Sequence, residues 1–349
     1  MRRFAALLFC SAVVLCTLPL SAKKGEHPSA FYVFGDSFVD NGNVLIASRQ
    51  LGFAVPLPPS SSPHETYFEG RFSNGPVAFE YLWQQLEHRK PGAKKALKPY
   101  LENPCVSGAP IRSAVDFAFG ASGTGVSTLT PSGVAVPGLL GQVGLFACAL
   151  QGHAAPSDAL YAIWSGANDY LNHISSAPLE PPLDPTTVVA NIVESIQGLY
   201  GLGARRIVVL NYADLGKGPA VIGTPAGALL TELTRQHNAA LAVALSRLEP
   251  LLPGLELSAI DVSGFFDSLP RGSITRVPAL DTLFPPPGPG QIPMSLCILV
   301  DPEACQDVPT FDVSRRYVFW DVEHPTTEMH RLVAEQIYET IVGAESLEQ

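Results

Sequence analysis

The chain has 349 residues, of which 46% are hydrophobic and 15% are charged, and its formal net charge is −10 at pH 7. This length fits one large domain or two small ones, and the apolar fraction is sufficient for a sizeable core. The low charge content argues against long disorder. The negative charge argues against a general nucleic-acid binder, because phosphate recognition requires a basic surface.

The first 22 residues have the pattern of a secretory signal peptide. Arg2 and Arg3 give a positive start, an almost unbroken apolar stretch runs from Phe4 to Leu20, and small residues allow cleavage after Ala22. The alternative is an uncleaved membrane anchor, although the stretch is shorter than the about 20 residues that a spanning helix needs. We therefore expect a secreted or periplasmic protein with no stable transmembrane anchor.

Five short apolar runs, taken in chain order, have the character of buried parallel strands. They are Ala30–Phe34, Ala114–Phe119, Ala159–Trp164, Arg206–Asn211 and Leu255–Asp261. Four other segments have apolar residues near helical spacing. They are Pro76–His88, Thr187–Leu202, Gly227–Leu248 and Thr326–Val342. The alternation predicts an α/β fold with a mainly parallel five-stranded sheet and helices on both faces.

Three loops are rich in proline or glycine, namely Phe53–Pro63, Pro178–Pro185 and Pro285–Pro293. Each follows a predicted strand or lies near the expected rim of a crevice. They are either substrate-shaping loops or plain surface connections stiffened by proline. No shift in composition and no internal repeat divides the chain.

Cysteine usage also points to export. Two of the six cysteines lie in the predicted signal peptide, and the remaining four form an even set, which in an exported chain indicates two disulfides. Cys297 and Cys305 flank a short proline-containing loop, so we favour that pair and, with it, Cys105 with Cys148. Four buried thiols are the alternative, and a zinc site is disfavoured because no C-x-x-C spacing occurs.

The first candidate for chemistry is Ser37. The apolar run that begins at Phe31 stops at Gly35, and Asp36 and Ser37 follow at once. A strand that ends here places the Ser37 hydroxyl at the edge where open α/β sheets have their ligand crevices. A serine hydroxyl can act as a nucleophile if a base takes its proton.

The far end of the chain offers that base. His324 lies three residues after Asp321, just before the last predicted helix. If the segment turns like one helical turn, the Asp321 carboxylate can accept the Nδ1–H of His324 and leave Nε2 free for Ser37. The alternative is a surface histidine beside a helix-capping acid.

Donors for an oxyanion follow two middle strands. Gly120 ends an apolar run, and its N–H can approach a ligand closely because glycine has no Cβ. Asn168 follows the strand Ala159–Trp164 and carries an amide donor, which can stabilise an oxyanion by about 3–4 kcal/mol. Ordinary glycine and asparagine turns are the alternatives. Tyr170 is a further candidate for lining an acyl pocket.

Together these segments resemble the GDSL esterase/lipase family, also called SGNH hydrolases, in its extracellular branch, which is common in plants. The four blocks stand in the family order: Gly35-Asp36-Ser37, Gly120, Gly166-Ala-Asn-Asp169 and Asp321-x-x-His324. Further similarity lies in Phe34–Asn43, Glu69–Pro76, His237-Asn238 and Trp320–Thr326. The resemblance spans nearly the whole mature chain, so we expect residues 23–349 to form one hydrolase domain.

The resemblance implies a flavodoxin-like three-layer α/β/α sandwich and no metal or organic cofactor. It implies that Ser37 is the nucleophile, that His324 is the general base and then acid, and that Asp321 orients it. The oxyanion donors would be the N–H groups of Ser37 and Gly120 and the side chain of Asn168. Two departures occur: Phe38 stands where the family name has leucine, and Ala121 where relatives often have a second glycine.

We therefore expect a secreted serine esterase that forms an acyl-enzyme. Its substrates would be small-molecule, lipid or acylated-carbohydrate esters, and nucleic acid is not an expected partner. One alternative is a phospholipase or lipase that acts on longer acyl chains, which a large apolar groove would favour. The other is a non-catalytic glycan-binding module on the same fold, in which a fluorophosphonate would not label Ser37.

Overall fold

The computed structural model describes residues 27–61, 64–65, 67–88, 96–108, 110–130, 133–175, 184–268 and 318–346. The predicted signal peptide, the loop Pro285–Pro293, most of Pro178–Pro185 and the predicted pair Cys297 and Cys305 lie outside the described residues.

Ten strands occur in the described part of the chain, six of them in one parallel sheet. They are β1 (Phe31–Gly35), β2 (Ser60–Ser61), β3 (His64–Glu65), β4 (Lys98–Pro99), β5 (Ala114–Asp116), β6 (Ser127–Leu129), β7 (Ala135–Pro137), β8 (Leu160–Trp164), β9 (Arg206–Leu210) and β10 (Glu256–Ile260). The sheet has the order β10-β9-β8-β1-β5-β4, while β2–β3 and β6–β7 are small antiparallel pairs.

Eight α-helices accompany the sheet in the same residues. They are α1 (Asn43–Gln50), α2 (Ala78–His88), α3 (Leu139–Ala149), α4 (Asn168–Ser175), α5 (Pro185–Leu202), α6 (Pro225–Leu248), α7 (Val262–Ser268) and α8 (Thr327–Ser346). The four predicted helices are confirmed as α2, α5, α6 and α8, with starts or ends shifted by up to four residues.

Side chains of the central strands alternate between two buried layers, as the period of two in a strand requires. In β1, Tyr32 and Phe34 belong to the core under α3, α5 and α6. Phe31 and Val33 point to the opposite core, which α2 and α8 cover. The Phe31 ring stacks on Trp83 of α2 at 5.6 Å. The three-layer α/β/α sandwich is thereby confirmed.

The five predicted strands are all present, but the sheet has a sixth, β4, at its edge. This strand has only two residues, so its sequence carries no detectable period. The predicted strand Ala114–Phe119 ends at Asp116, because the side chain of Asn43 takes the place of a neighbouring strand there. Its Nδ2 donates to the carbonyl groups of Asp116 and Ala118 at 2.9 and 2.8 Å.

The connections leave a crevice beside β1. After β1 the chain moves to β5 on one side, and it then returns to form β8 on the other side. The connections after β1 and β8 therefore run on to opposite sides of the sheet, and the space between the ends of these two strands is the topological switch point where open α/β sheets bind ligands. Ser37 lies in the loop after β1, and Asn168 begins α4 directly after the loop that follows β8.

A disulfide joins Cys105 to Cys148 of α3, with the Cα atoms 5.7 Å apart and the two residues 43 positions apart in sequence. It ties the segment after β4 to the helix layer.

We predict that the Cys105→Ser/Cys148→Ser variant loses about 4 kcal/mol of unfolding free energy, because a loop of this length gains that much unfolded-chain entropy. Urea unfolding of the variant and of the parent checks it. At a temperature where both are folded, ester turnover is expected to stay equal, since the disulfide lies away from Ser37. A variant as stable as the parent would contradict the prediction.

Candidate active site

The end of β1 is held in place by close contacts. A Cβ on Gly35 would lie 2.3 Å from the Trp164 carbonyl oxygen, so only glycine fits between the two strands. Gln142 of α3 then completes the hydrogen bonds of this residue. Its Oε1 accepts from the Gly35 N–H at 2.9 Å, and its Nε2 donates to the Gly35 carbonyl at 2.8 Å. The strand therefore ends at a fixed position, two residues before Ser37.

Two buried aspartates shape the loop that carries Ser37. The Asp36 carboxylate accepts from the Phe38 N–H at 3.1 Å and from the Tyr212 hydroxyl at 3.2 Å. Burial raises the pKa of Asp36 to about 7. The Asp40 carboxylate accepts from the N–H groups of the first turn of α1, where a negative charge is favourable. These bonds fix the backbone on both sides of the serine.

Ser37, His324 and Asp321 come together in a continuous hydrogen-bonded chain. Ser37 Oγ lies 2.9 Å from His324 Nε2, although the two residues are 287 positions apart. His324 Nδ1 lies 2.7 Å from Asp321 Oδ2. Because a carboxylate only accepts, Nδ1 carries the proton and Nε2 is free to accept from the serine hydroxyl.

The backbone of the Asp321 segment turns around its own carboxylate. Oδ1 of Asp321 accepts the N–H groups of Glu323 and His324 at 2.8 and 2.6 Å. The side chains of Asp321 and His324 therefore share one face, as their spacing predicted. Ser37, Asp321 and His324 are each at most 8% exposed.

The charges of this pair shift both pKa values. Burial alone lowers the pKa of His324, but the charge and hydrogen bond of Asp321 outweigh burial, and the net shift is upward from 6.5. Burial alone raises the pKa of Asp321, but the His324 charge and the hydrogen bonds lower it overall. At neutral pH the carboxylate is therefore ionised, and the imidazole becomes a free base as the pH rises through its elevated pKa.

Tyr67 also contacts the site, which was not predicted from the sequence. Its hydroxyl donates to Asp321 Oδ2 at 2.7 Å, and the side chain is only 3% exposed. Burial and the Asp321 charge raise the pKa of Tyr67 well above 10, so the hydroxyl keeps its proton and remains a donor. Its nearness to the family-like segment Glu69–Pro76 was the available signal, but spacing alone assigns no role to it.

Residues 72–81 attach the histidine segment to the body of the protein. The Phe72 ring packs on the His324 imidazole with the centroids 5.1 Å apart. Ser73 Oγ donates to the Pro325 carbonyl at 2.9 Å, and Tyr81 OH lies 2.7 Å from Thr327 Oγ1. The contacts of Phe72 and Ser73 hold the imidazole in position relative to Ser37, whereas the Tyr81 bond lies three residues further along the chain, at Thr327.

The structure changes the expectation for Gly120. Its N–H donates to Asp40 Oδ2 at 2.9 Å and is therefore not free for an oxyanion. The glycine is needed for packing, because a Cβ there would lie 2.5 Å from the Phe72 ring. The next residue, Ala121, has φ of 63°. Within the described residues, the N–H groups of Ala121 and Ser37 have no acceptor.

Asn168 stands at the start of α4, where the loops after β1, β5 and β8 meet. Its Nδ2 donates to the Ser122 carbonyl at 3.1 Å, and the amide has a second N–H to offer. Ser122 Oγ donates to the Gly35 carbonyl at 2.8 Å. Asp169 accepts from the Thr124 N–H at 2.9 Å and fixes the same junction. Tyr170, the candidate for lining an acyl pocket, is fully buried, and its hydroxyl lies 2.9 Å from His237 Nδ1.

Comparison with known proteins agrees with this geometry. The family described as GDSL-like Lipase/Acylhydrolase matches residues 31–337. The chain belongs to this family. It is a GDSL-type carboxylic ester hydrolase.

Two plant relatives and one solved structure illustrate the similarity. A GDSL lipase of Tanacetum cinerariifolium is 27% identical over 75% of this chain and 71% of its own length. A GDSL esterase/lipase of Arabidopsis thaliana is 26% identical over 95% of this chain and 93% of its own. A member of the lipolytic protein G-D-S-L family from Veillonella parvula aligns with 90% of this chain and 98% of its own, with 13% identity and a TM-score of 0.40.

The described part of this GDSL hydrolase has no cluster of possible metal ligands and no membrane-spanning helix. No group of three or more His, Cys, Asp or Glu residues there is arranged to hold a metal ion. No helix there is both long and apolar enough to cross a bilayer.

We predict that Tyr67→Phe lowers kcat about tenfold, because it removes one hydrogen bond to a buried charge, worth about 1.5–3 kcal/mol. The acid limb of the kcat/KM pH profile should move to higher pH, since more of the Asp321 charge then acts on His324 and raises its pKa further. Ester hydrolysis measured from pH 5 to 9 checks both effects.

Tyr81→Phe is the matched control, because it removes a tyrosine hydroxyl that contacts Thr327 and not Asp321. We expect its pH profile to be that of the parent. A Tyr67→Phe variant with an unshifted acid limb would show that Tyr67 only fills space.

Proposed function

We propose that this chain is a secreted serine esterase that hydrolyses carboxylic esters through the triad Ser37, His324 and Asp321. Support comes above all from Ser37 Oγ lying 2.9 Å from His324 Nε2, while Asp321 holds the opposite ring nitrogen. This arrangement supplies a nucleophile, a base within hydrogen-bond reach and a group that orients the base.

In the first half of the reaction, His324 Nε2 takes the proton of the Ser37 hydroxyl while Oγ attacks the ester carbonyl carbon. The imidazolium that forms is stabilised by the ionised Asp321 carboxylate. His324 then gives the proton to the alcohol oxygen, the carbon–oxygen bond to the alcohol breaks, and the acyl group stays on Ser37.

In the second half, a water molecule takes the place of the alcohol. His324 removes a proton from this water while the water oxygen attacks the acyl carbon. The bond between that carbon and Ser37 Oγ then breaks, and His324 returns the proton to Oγ. The carboxylic acid is released and the serine is regenerated. The same base thus serves both halves, and no cofactor is consumed.

The negative oxygen that develops in each half needs donors. We assign the N–H of Ser37, the N–H of Ala121 and the side-chain amide of Asn168. Ala121 replaces the expected Gly120, because the Gly120 N–H is bound to Asp40. The positive φ of Ala121 costs about 1–3 kcal/mol unless the surroundings impose it, and strain of this kind clusters at active sites.

Export is part of the proposal. We assign residues 1–22 as a cleaved signal peptide and residues 23–349 as one hydrolase domain. The disulfide between Cys105 and Cys148 supports this, because disulfides persist in oxidising compartments. A non-catalytic glycan-binding role is disfavoured, because a binding module has no need of an aligned serine, histidine and carboxylate.

We predict that Ser37→Ala abolishes hydrolysis of p-nitrophenyl acetate and prevents labelling by a fluorophosphonate, because no nucleophile remains. Circular dichroism and thermal unfolding should match the parent, since the change removes one hydroxyl. Turnover retained in a folded Ser37→Ala protein would refute the triad.

We predict that Asn168→Ala lowers kcat by about 10²–10³, because the amide contributes to stabilising the oxyanion in the transition state. Steady-state kinetics on p-nitrophenyl acetate separates kcat from KM. Asn191→Ala is a control of the same residue type, with one side-chain bond to Thr124 Oγ1, and should keep kcat within about twofold. A change confined to KM would mean that Asn168 binds the substrate and does not stabilise the oxyanion.

A further inference from the structure

Two adjacent residues of helix α6, His237 and Asn238, lie behind the loops that carry the oxyanion donors. They form one of the family-like segments of the sequence, but neither belongs to the triad. His237 is fully buried, and within the described residues its Nε2 has no hydrogen-bond partner. A polar group is costly to bury without a partner, so the contacts of this histidine require an explanation.

The side-chain amide of Asn238 holds the backbone of Tyr212, which lies two residues after β9. Its Oδ1 accepts from the Tyr212 N–H at 3.1 Å, and its Nδ2 donates to the Tyr212 carbonyl at 2.7 Å. Gln142 holds Gly35 at the end of β1 by the same pair of bonds. Because one planar amide supplies both the donor and the acceptor, the peptide groups of Tyr212 are fixed against α6.

The side chain of Tyr212 connects this fixed point to the loop that carries Ser37. Its hydroxyl donates to Asp36 Oδ2 at 3.2 Å, while Asp36 Oδ1 accepts from the Phe38 N–H at 3.1 Å. Burial and the Asp36 charge raise the pKa of Tyr212 well above 10, so the hydroxyl keeps its proton and remains a donor. Since Asp36 and Phe38 flank Ser37 in the chain, the direction of the N–H between them depends on these bonds.

His237 contacts the segment that carries the other donor, Asn168. Its Nδ1 lies 2.9 Å from the hydroxyl of Tyr170, two residues after Asn168 in α4. Its ring also packs against the loop before α4, because a Cβ on Gly166 would lie 3.1 Å from His237 Cε1. Gly166 has φ of 132°, which favours glycine at this position. The loop and the first turn of α4 are therefore both seated against the imidazole.

The protonation states suit this contact. Burial lowers the pKa of His237 to about 4, so the imidazole is neutral near pH 7. Burial and the Asp169 charge raise the pKa of Tyr170 above 10, so its hydroxyl keeps a proton that it can donate to Nδ1. The His237 ring also meets the Tyr212 ring edge to face, with the centroids 5.6 Å apart. The supports of the two donors are thus in direct contact with each other.

We propose that His237 and Asn238 are positioning residues that hold the two sides of the oxyanion hole in register. Asn238 acts through Tyr212 on the backbone N–H of the nucleophile, and His237 acts through Tyr170 on the amide of Asn168. This inference rests on the proposed function, because the donors matter only if an oxyanion forms at the serine. Since both residues lie side by side on one helix, the spacing between the donors is set before substrate binds.

The first test removes the Tyr170 hydroxyl and measures hydrolysis of p-nitrophenyl acetate. Tyr170→Phe should lower kcat about tenfold with KM unchanged, because a displaced donor weakens binding of the transition state and not of the ester. In the Asn168→Ala background the same change should lower kcat by less than about twofold, since the amide that it displaces is already absent. No loss in the parent, or an equal loss in both backgrounds, would overturn the role of His237.

The second test treats Asn238 and the Tyr212 hydroxyl as a pair. Tyr212→Phe and Asn238→Ala should each lower kcat about tenfold. The double variant should be no more than about twofold slower than Tyr212→Phe alone, because Asn238 acts by placing this hydroxyl. If the two losses multiply, Asn238 does not act through Tyr212 and the assignment is wrong. Tyr212→Phe removes a single hydroxyl, so if Asn238→Ala fails to fold, a parental kcat in Tyr212→Phe still contradicts the proposal.

Tyr161→Phe is the matched control. Tyr161 is also a fully buried tyrosine, but its hydroxyl donates to the Pro156 carbonyl at 2.8 Å, before β8 begins and at the opposite end of that strand from Asn168. This variant should have a lower Tm and a parental kcat, whereas Tyr170→Phe should lower both. If the control loses kcat as much as Tyr170→Phe does, the hydroxyls contribute stability alone and the proposal falls.

Fluorophosphonate labelling separates failure of this inference from failure of the esterase proposal. If the parent is labelled and Asn168→Ala lowers kcat while Tyr170→Phe and Tyr212→Phe do not, only the positioning roles fall. If the folded parent is neither labelled nor active on any ester, the proposed function falls, and the positioning roles fall with it.

Discussion

The whole site depends on the hydrogen bonds that the buried carboxylate of Asp321 accepts. This carboxylate accepts hydrogen bonds from His324 Nδ1, from the Tyr67 hydroxyl and from two backbone N–H groups of its own turn. A carboxylate that is 6% exposed would be costly to ionise without such partners. Because Tyr67 and Asp321 are 254 residues apart, satisfying this one charge also joins the early part of the chain to its C-terminal helix. The same bonds fix the imidazole in the tautomer that a serine requires.

The other half of the site, around Ser37 and Asn168, depends on the point at which the strand order of the sheet reverses. β1 lies between β5 and β8, and the loops after all three strands converge on Ser122 and Gly35. Small and amide-bearing residues allow this, because Gly35 permits two backbones to approach and Gln142 hydrogen-bonds to both the N–H and the carbonyl of Gly35. Electrostatic stabilisation of an oxyanion works best when its donors are already in position. The convergence of three loops provides that rigidity before any substrate binds.

The sequence predicted the parts of this arrangement that depend on local patterns. Five strands were recognisable because buried parallel strands are continuous apolar runs, and Ser37, Asp321 and His324 could be selected from strand ends and spacing. Helices α1, α3, α4 and α7 were not predicted. α3 has glycines and almost no polar face, and α4 begins in a segment that resembles a turn. The hydrogen bond from Tyr67 to Asp321 and the one from the Gly120 N–H to Asp40 each join residues that are far apart in sequence. A single sequence carries no periodic signal for such pairs.

Aromatic side chains shield the buried triad from water. The rings of Phe38 and Phe72 both lie against the His324 imidazole, so little water reaches the hydrogen bond between His324 and Asp321. Electrostatic interactions are stronger where water is excluded, which in the proposed mechanism favours the imidazolium formed on His324.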